Sequence, residues 1–235
     1  MSLTILVTGA SSGLGLEFVK QFSEAGHTVI GTLRNPDQAS ELQELASKNK
    51  VHTVKMDVVD EESVKVAAEE VAKIAPNGID ILINNAGIMS SRDLNAINTT
   101  AKEYVRMFET NVSGTVTVTL AFLDQLRKRN TRKIINISSG LGSLALPKPY
   151  GSGASSYSVS KAAQNMFSKM LAIELEKEDF TVVPLHPGWV QTRLGTAKAP
   201  LTPAQSIAGM IKVINKVTAK QTGVFFDYEG NELPW

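Results

Sequence analysis

Seven short apolar runs recur along the chain with longer helix-like stretches between them, and this alternation limits the fold more than any other feature. The runs are residues 3–8, 27–33, 51–57, 79–84, 132–138, 180–186 and 222–226. Several are continuously apolar, as parallel strands covered on both faces must be, whereas strands with one wet face alternate. Helical periodicity fills 13–25, 36–48, 60–75, 100–129, 156–177 and 202–219, the last opening with Thr202 as a cap and Pro203 at the first helical position. No internal repeat or Pro/Gly/Ser linker divides the chain. The pattern predicts an α/β fold: a single Rossmann-type doubly wound parallel sheet of about seven strands with helices on both faces, spanning 1–235 as one domain.

Composition removes several functions. The net charge is +1 and the longest basic run is Arg127-Lys128-Arg129, so neither nucleic acid nor an anionic membrane is an expected partner. Cysteine is absent, which excludes disulfides, thiolate catalysis and Cys-type zinc sites. His27, His52 and His186 lack metal-ligand spacing and are read as structural. The apolar run at the N-terminus is too short for a signal peptide or a membrane span, and the N-x-S/T matches at Asn98, Asn111 and Asn136 are read as chance. A cytoplasmic location is the expectation.

The first apolar run leads into "TGASSGLG", which contains Gly9, Ser11, Ser12, Gly13, Leu14 and Gly15. Glycines at a strand-to-helix turn let backbone N–H groups close on a phosphate at the positive end of the helix. The spacing is G-x-x-x-G-x-G rather than G-x-G-x-x-G, and a plain tight turn is the competing reading. The second strand ends in Leu33-Arg34 instead of the carboxylate that takes an NAD ribose hydroxyl. A guanidinium there suits a 2′-phosphate, so NADP(H) is favoured over NAD.

The stretch "SSYSVSKAAQNM" places Tyr157 and Lys161 one helical turn apart on the same face. A phenol titrates near ~10, and a nearby ammonium favours its ionised form, so the pair can serve as a tuned proton donor. An exposed Tyr and a solvated Lys on an ordinary helix is the bland alternative.

With "NNAG" at 84–87, "NISS" at 136–139, "YSVSK" at 157–161 and "PGWVQT" at 187–192 following "TGASSGLG" in order, the chain resembles the short-chain dehydrogenase/reductase family over nearly its whole length. Its closing "GVFFDYEGNELPW" is similar to the Sniffer and C-factor group of carbonyl-reductase-like members. The resemblance implies NADPH-dependent reduction of a ketone or aldehyde, a small-molecule carbonyl substrate. It implies Tyr157 as the acid/base, Lys161 as its partner and a ribose ligand, Ser139 as the substrate-orienting serine, and Asn111 as the anchor of a water relay. It further implies Asp57 and Val58 beside the adenine, Asn85, Ala86 and Gly87 beside the inner ribose, and Val190 and Thr192, with Pro187 and Gly188, beside the nicotinamide.

Ser139 and Tyr157 stand 18 apart, a longer spacing than usual, so the loop between them reshapes the substrate mouth. Tyr150 is read as one of its walls, and Trp189 either as another or as a packed aromatic. Ser138 is expected to point away from the site, because strand neighbours alternate. The segment from Trp189 to Pro203 is expected to form a lid. A non-catalytic NADP-binding regulator on the same fold is the alternative function; an epimerase or dehydratase would need a larger C-terminal portion. Helices 100–129 and 156–177 pair across dimers in many relatives, so Met166, Phe167, Met170 and Leu171 fit either a homodimer face or the core.

Overall fold

The computed structural model describes residues 2–48, 50–146 and 153–235. One seven-stranded sheet, parallel throughout, runs in the order β3-β2-β1-β4-β5-β6-β7. Its strands are β1 (Thr4–Thr8), β2 (Thr28–Leu33), β3 (Val51–Lys55), β4 (Ile81–Asn84), β5 (Lys133–Ile137), β6 (Thr181–His186) and β7 (Phe226–Asp227). The helices are α1 (Gly13–Glu24), α2 (Ser40–Lys48), α3 (Glu61–Ile74), α4 (Ala101–Phe108), α5 (Gly114–Arg127), α6 (Ser155–Glu174) and α7 (Pro203–Lys216).

Strand alternation divides the apolar side chains between two cores. Ile5 and Val7 of β1 pack with Phe18, Phe22, Leu42, Ile207 and Met210, beneath α1, α2 and α7. Leu6, between them, packs with Val64, Phe122, Leu126 and Leu171, beneath α3, α5 and α6. Both faces are therefore dry, which is why the strand sequences read as unbroken apolar runs. The chain reverses direction across the sheet between β1 and β4, and a crevice opens at the carboxyl ends of those strands.

Three expectations change in detail. The stretch 36–48 begins with a 3₁₀ turn, Pro36–Gln38, before α2. The expected helix 100–129 is continuous but carries a π-turn, Glu109–Ser113, between α4 and α5. The last strand starts later than 222–226, because Gly223 turns with φ +73° and pairing begins only where Phe226 meets Leu185. On α6, Met166 and Met170 are exposed while Leu171 is buried and Phe167 packs against the core, so the four residues divide between the two faces. Among the described residues, no helix is long and apolar enough to cross a membrane.

Candidate active site

β1 ends at Thr8, and the glycine turn follows in a conformation that side chains would disrupt. Gly9 takes φ +68°, and a Cβ there would stand 2.9 Å from Ala86 Cα. A Cβ on Gly15 would stand 2.2 Å from the Gly9 carbonyl oxygen. Thr8 Oγ1 accepts from the N–H groups of Asn85 and Ala86 at 3.0 and 2.9 Å, and Asn85 Nδ2 donates to Thr8 O at 2.8 Å. The end of β4 is thereby strapped to the turn. Ser11 and Ser12 are exposed, and Ser12 precedes α1 in extended conformation without a side-chain capping bond. The first N–H groups of α1 are thus open to an anion.

Arg34 is the first exposed residue beyond β2, and it makes no hydrogen bond or ion pair among the described residues. Asp57, just past β3, accepts from Val59 N–H at 3.3 Å, and Val58 packs where a Cβ on Gly114 would meet its Cγ2 at 2.9 Å.

A cavity of about 590 Å³ continues from this turn. Leu14, Gly87, Pro187, Gly188, Val190 and Thr192 line it, together with Ser139, Tyr157 and Lys161. Ser139 Oγ accepts from Leu141 N–H at 3.2 Å, and the serine hydroxyl is among the influences that lower the Tyr157 phenol. The Lys161 ammonium donates to Ile137 O at 2.7 Å and Gln164 Oε1 at 2.9 Å, and lies 5.7 Å from the centre of the Tyr157 ring. Asn111 sits in the π-turn, fully buried. Its Oδ1 accepts from Ile88 N–H at 2.9 Å, while Nδ2 donates to Ile88 O at 2.9 Å and Ser160 Oγ at 3.0 Å. It clamps the loop after β4 to α6 and makes no direct side-chain contact with the ammonium.

A family model described as short chain dehydrogenase matches residues 3–201. The chain belongs to that family. C-signal of Myxococcus xanthus is 40% identical over 157 residues, covering 67% of this chain and 93% of its own. The NADPH-bound carbonyl reductase from chicken fatty liver is 35% identical with a TM-score of 0.93, covering 100% of this chain and 99% of that one. Carbonyl reductase Sniffer of D. melanogaster is 31% identical, also at 0.93, with 100% of both chains covered. The protein is an oxidoreductase of the short-chain dehydrogenase family, similar to the Sniffer and C-factor group.

In this short-chain dehydrogenase, burial dominates the titration of the tyrosine–lysine pair. Desolvation pushes the Tyr157 phenol up to about 12, against opposing pulls from the Ser139 hydrogen bond and the Arg92 charge. Desolvation also lowers the Lys161 ammonium to about 7. Lys161 does not act as the expected depressant of Tyr157. Its own charge is weakened by burial, and two of its donors are turned to Ile137 and Gln164.

Other expectations resolve individually. Ser138 donates to Asn165 Oδ1 on α6, yet it lines the cavity beside Ser139 and so is not wholly turned away from the site. Trp189 lines the cavity, and its indole N–H donates to Gly195 O. The segment beyond it folds over itself, with Val190 bridged to Leu201 and Gly195 N–H donating to Thr192 Oγ1 at 3.0 Å. Tyr150 lies outside the described residues. His186 departs from its reading as a plain structural residue: it lines the cavity, and burial holds its imidazole down to about 4.

Arg92, on the loop after β4, also lines the cavity and donates to Leu194 O at 2.6 Å. No motif marks Arg92 or His186. The available signal is that His186 ends β6 and Arg92 lies in the loop after β4, both at the carboxyl side of the sheet.

Proposed function

We propose that the protein is an NADPH-dependent carbonyl reductase converting a ketone or aldehyde to an alcohol. The observation that carries this reading is that Ser139 and Tyr157 line the same largely apolar cavity, with the phenol held protonated by burial. The residues present suit a dinucleotide phosphate. The glycine turn leaves a cradle that Cβ atoms would fill, α1 opens with free N–H groups, and Arg34 offers an uncommitted guanidinium for the 2′-phosphate. Asp57 and Val58 would flank the adenine, and Asn85, Ala86 and Gly87 the inner ribose. Lys161 would hold the nicotinamide ribose, with Val190 and Thr192 beside the carboxamide.

When bound, NADPH supplies the hydride. Ser139 donates a hydrogen bond to the substrate carbonyl oxygen, and Tyr157 releases its proton to that oxygen as negative charge grows. Ser139 and Tyr157 bracket one atom, which fixes the face of the carbonyl presented to the cofactor. Asn111 keeps the loop after β4 and helix α6 in register around the reacting groups.

A ketone and aldehyde panel, followed at the NADPH absorbance band with NADPH and NADH, tests the assignment. Tyr157→Phe should bind NADPH normally and lose at least about a hundredfold in turnover, because only the proton donor is removed. Turnover preserved in that variant would refute the mechanism. A cofactor-binding regulator would instead show tight NADPH binding and no turnover across the panel. The exposed apolar side chains Val105, Phe108, Leu120, Met166, Met170 and Ile173 on α4, α5 and α6 support a homodimer.

A further inference from the structure

α6 carries a fully buried glutamine one turn beyond the lysine. Gln164 has 0% exposure, at a depth where helix positions are usually apolar. Its Oε1 accepts from Lys161 Nζ at 2.9 Å, and its Nε2 donates to Thr115 Oγ1 at 2.9 Å. Thr115 in turn donates to the carbonyl oxygen of Asn111 at 3.0 Å.

This chain of bonds leaves the amide one orientation. Thr115 spends its only proton on Asn111 O, so toward Gln164 it can only accept, and the amide NH₂ must face it. The carbonyl end then faces the ammonium, which can only donate. Ile137 O takes a second ammonium proton at 2.7 Å. One donor remains for the cavity that Lys161 lines.

We propose that Gln164 is a positioning residue for the catalytic lysine. Its buried carbonyl anchors the Lys161 ammonium to α5 and the π-turn, keeping the amine charged and its remaining donor turned toward the cofactor ribose. The proposal rests on the role given to Lys161 above. Replacing Gln164 alone by an apolar side chain would leave the buried Lys161 ammonium and Thr115 hydroxyl each short of a partner. Burial lowers Lys161 and nothing ionised opposes it, so neutral acceptors are what sustain its charge. Arg92 from the loop after β4, Tyr157 from α6 and His186 from β6 are the other titratable groups on the cavity wall among the described residues. Asn111 and Thr115, from the π-turn and α5, are neutral.

The test compares Gln164→Leu, Gln164→Glu and Lys161→Met with wild type. NADPH consumption with phenanthrenequinone and NADPH fluorescence titration are both followed across pH. In Gln164→Leu the amine loses an acceptor and releases its proton at lower pH, so kcat/KM should fall about tenfold more at about pH 8 than at about pH 6. NADPH affinity should weaken over the same interval. Gln164→Glu, whose carboxylate favours the ammonium, should carry activity to higher pH than wild type. Wild-type pH profiles for both readouts in a folded Gln164→Leu, with Lys161→Met inactive, would show that Gln164 only fills the core. Should Gln164→Leu not fold, an unshifted profile in Gln164→Glu overturns the proposal. Full activity in Lys161→Met would instead overturn the role assigned to the lysine.

Discussion

Replacing Arg34 with leucine should remove most of the preference for NADPH over NADH. Arg34 is exposed just beyond β2 and makes no hydrogen bond or ion pair among the described residues, so it gives up no internal contact to meet a phosphate. A charge-assisted hydrogen bond contributes roughly 1.5–3 kcal/mol when well formed. Exposed ion pairs reach only about 0.2–1 kcal/mol, so the lower half of the larger range is the sensible expectation. That corresponds to a loss in NADPH affinity of about 10- to 50-fold. NADH affinity, which gains nothing from the guanidinium, should change by less than about threefold.

Fluorescence titration of both cofactors against wild type and variant measures this directly. The wild-type preference should also shrink between about 0.1 and about 1 M salt, as the screening length drops from ~10 to ~3 Å. Equal affinities in wild type, or an unmoved ratio in the variant, would refute the pairing. Leu33, the neighbouring position that could accept an NADH hydroxyl bond if made acidic, has to be left alone. It is 4% exposed and packed in the core, where truncating a leucine alone costs about 2–5 kcal/mol. Leu33→Asp would confuse cofactor choice with unfolding.

His186 gives a stability test. Its imidazole is held at about 4 in the fold against an ordinary 6.5, so the unfolded chain takes the proton first as pH falls. The stability tied to its neutral form is complete above 6.5 and declines down to about 4. Urea unfolding should therefore lose about 2 kcal/mol from this residue between neutral pH and about pH 5. His186→Phe should flatten that slope, and an unchanged slope would refute the assignment. The apolar face of α4–α6 predicts a dimer in sedimentation, with Met166→Lys and Met170→Lys together shifting the population to monomer. A wild-type monomer at all concentrations would refute the homodimer.

The strands and most of the helices were legible because both sheet faces are dry, which makes each strand a continuous apolar run. The π-turn was not legible. It depends on Asn111 reaching the backbone of Ile88 and on Gly114 admitting Val58, contacts between segments distant in sequence. The start of β7 was misplaced because the positive φ of Gly223 interrupts an otherwise strand-like run.

The site divides along the same line. Ser139, Tyr157, Lys161 and the glycine turn lie in short motifs, and they meet around one crevice. Arg92 and His186 reach that crevice only through the strand order, which pattern reading does not deliver residue by residue. Gln164 looks in sequence like any polar residue on an amphipathic helix, and only its burial marks it.

Burial also favours one direction of the proposed reaction. In water a phenol and an amine titrate close together, at ~10 and ~10.4. Here one cause, loss of solvent around the charged form, drives them apart, to about 12 for Tyr157 and about 7 for Lys161. A tyrosine that keeps its proton at neutral pH is ready to donate, as carbonyl reduction requires; alcohol oxidation would need the phenolate first. Arg92 lines the same cavity and carries the charge that acts on Tyr157, so a phenolate left by proton donation meets a cation there. Arg92 is already among the influences lowering Tyr157, and its guanidinium is bonded to the carbonyl of Leu194. The cation that eases proton release is therefore fixed in place by the segment folded over the cavity.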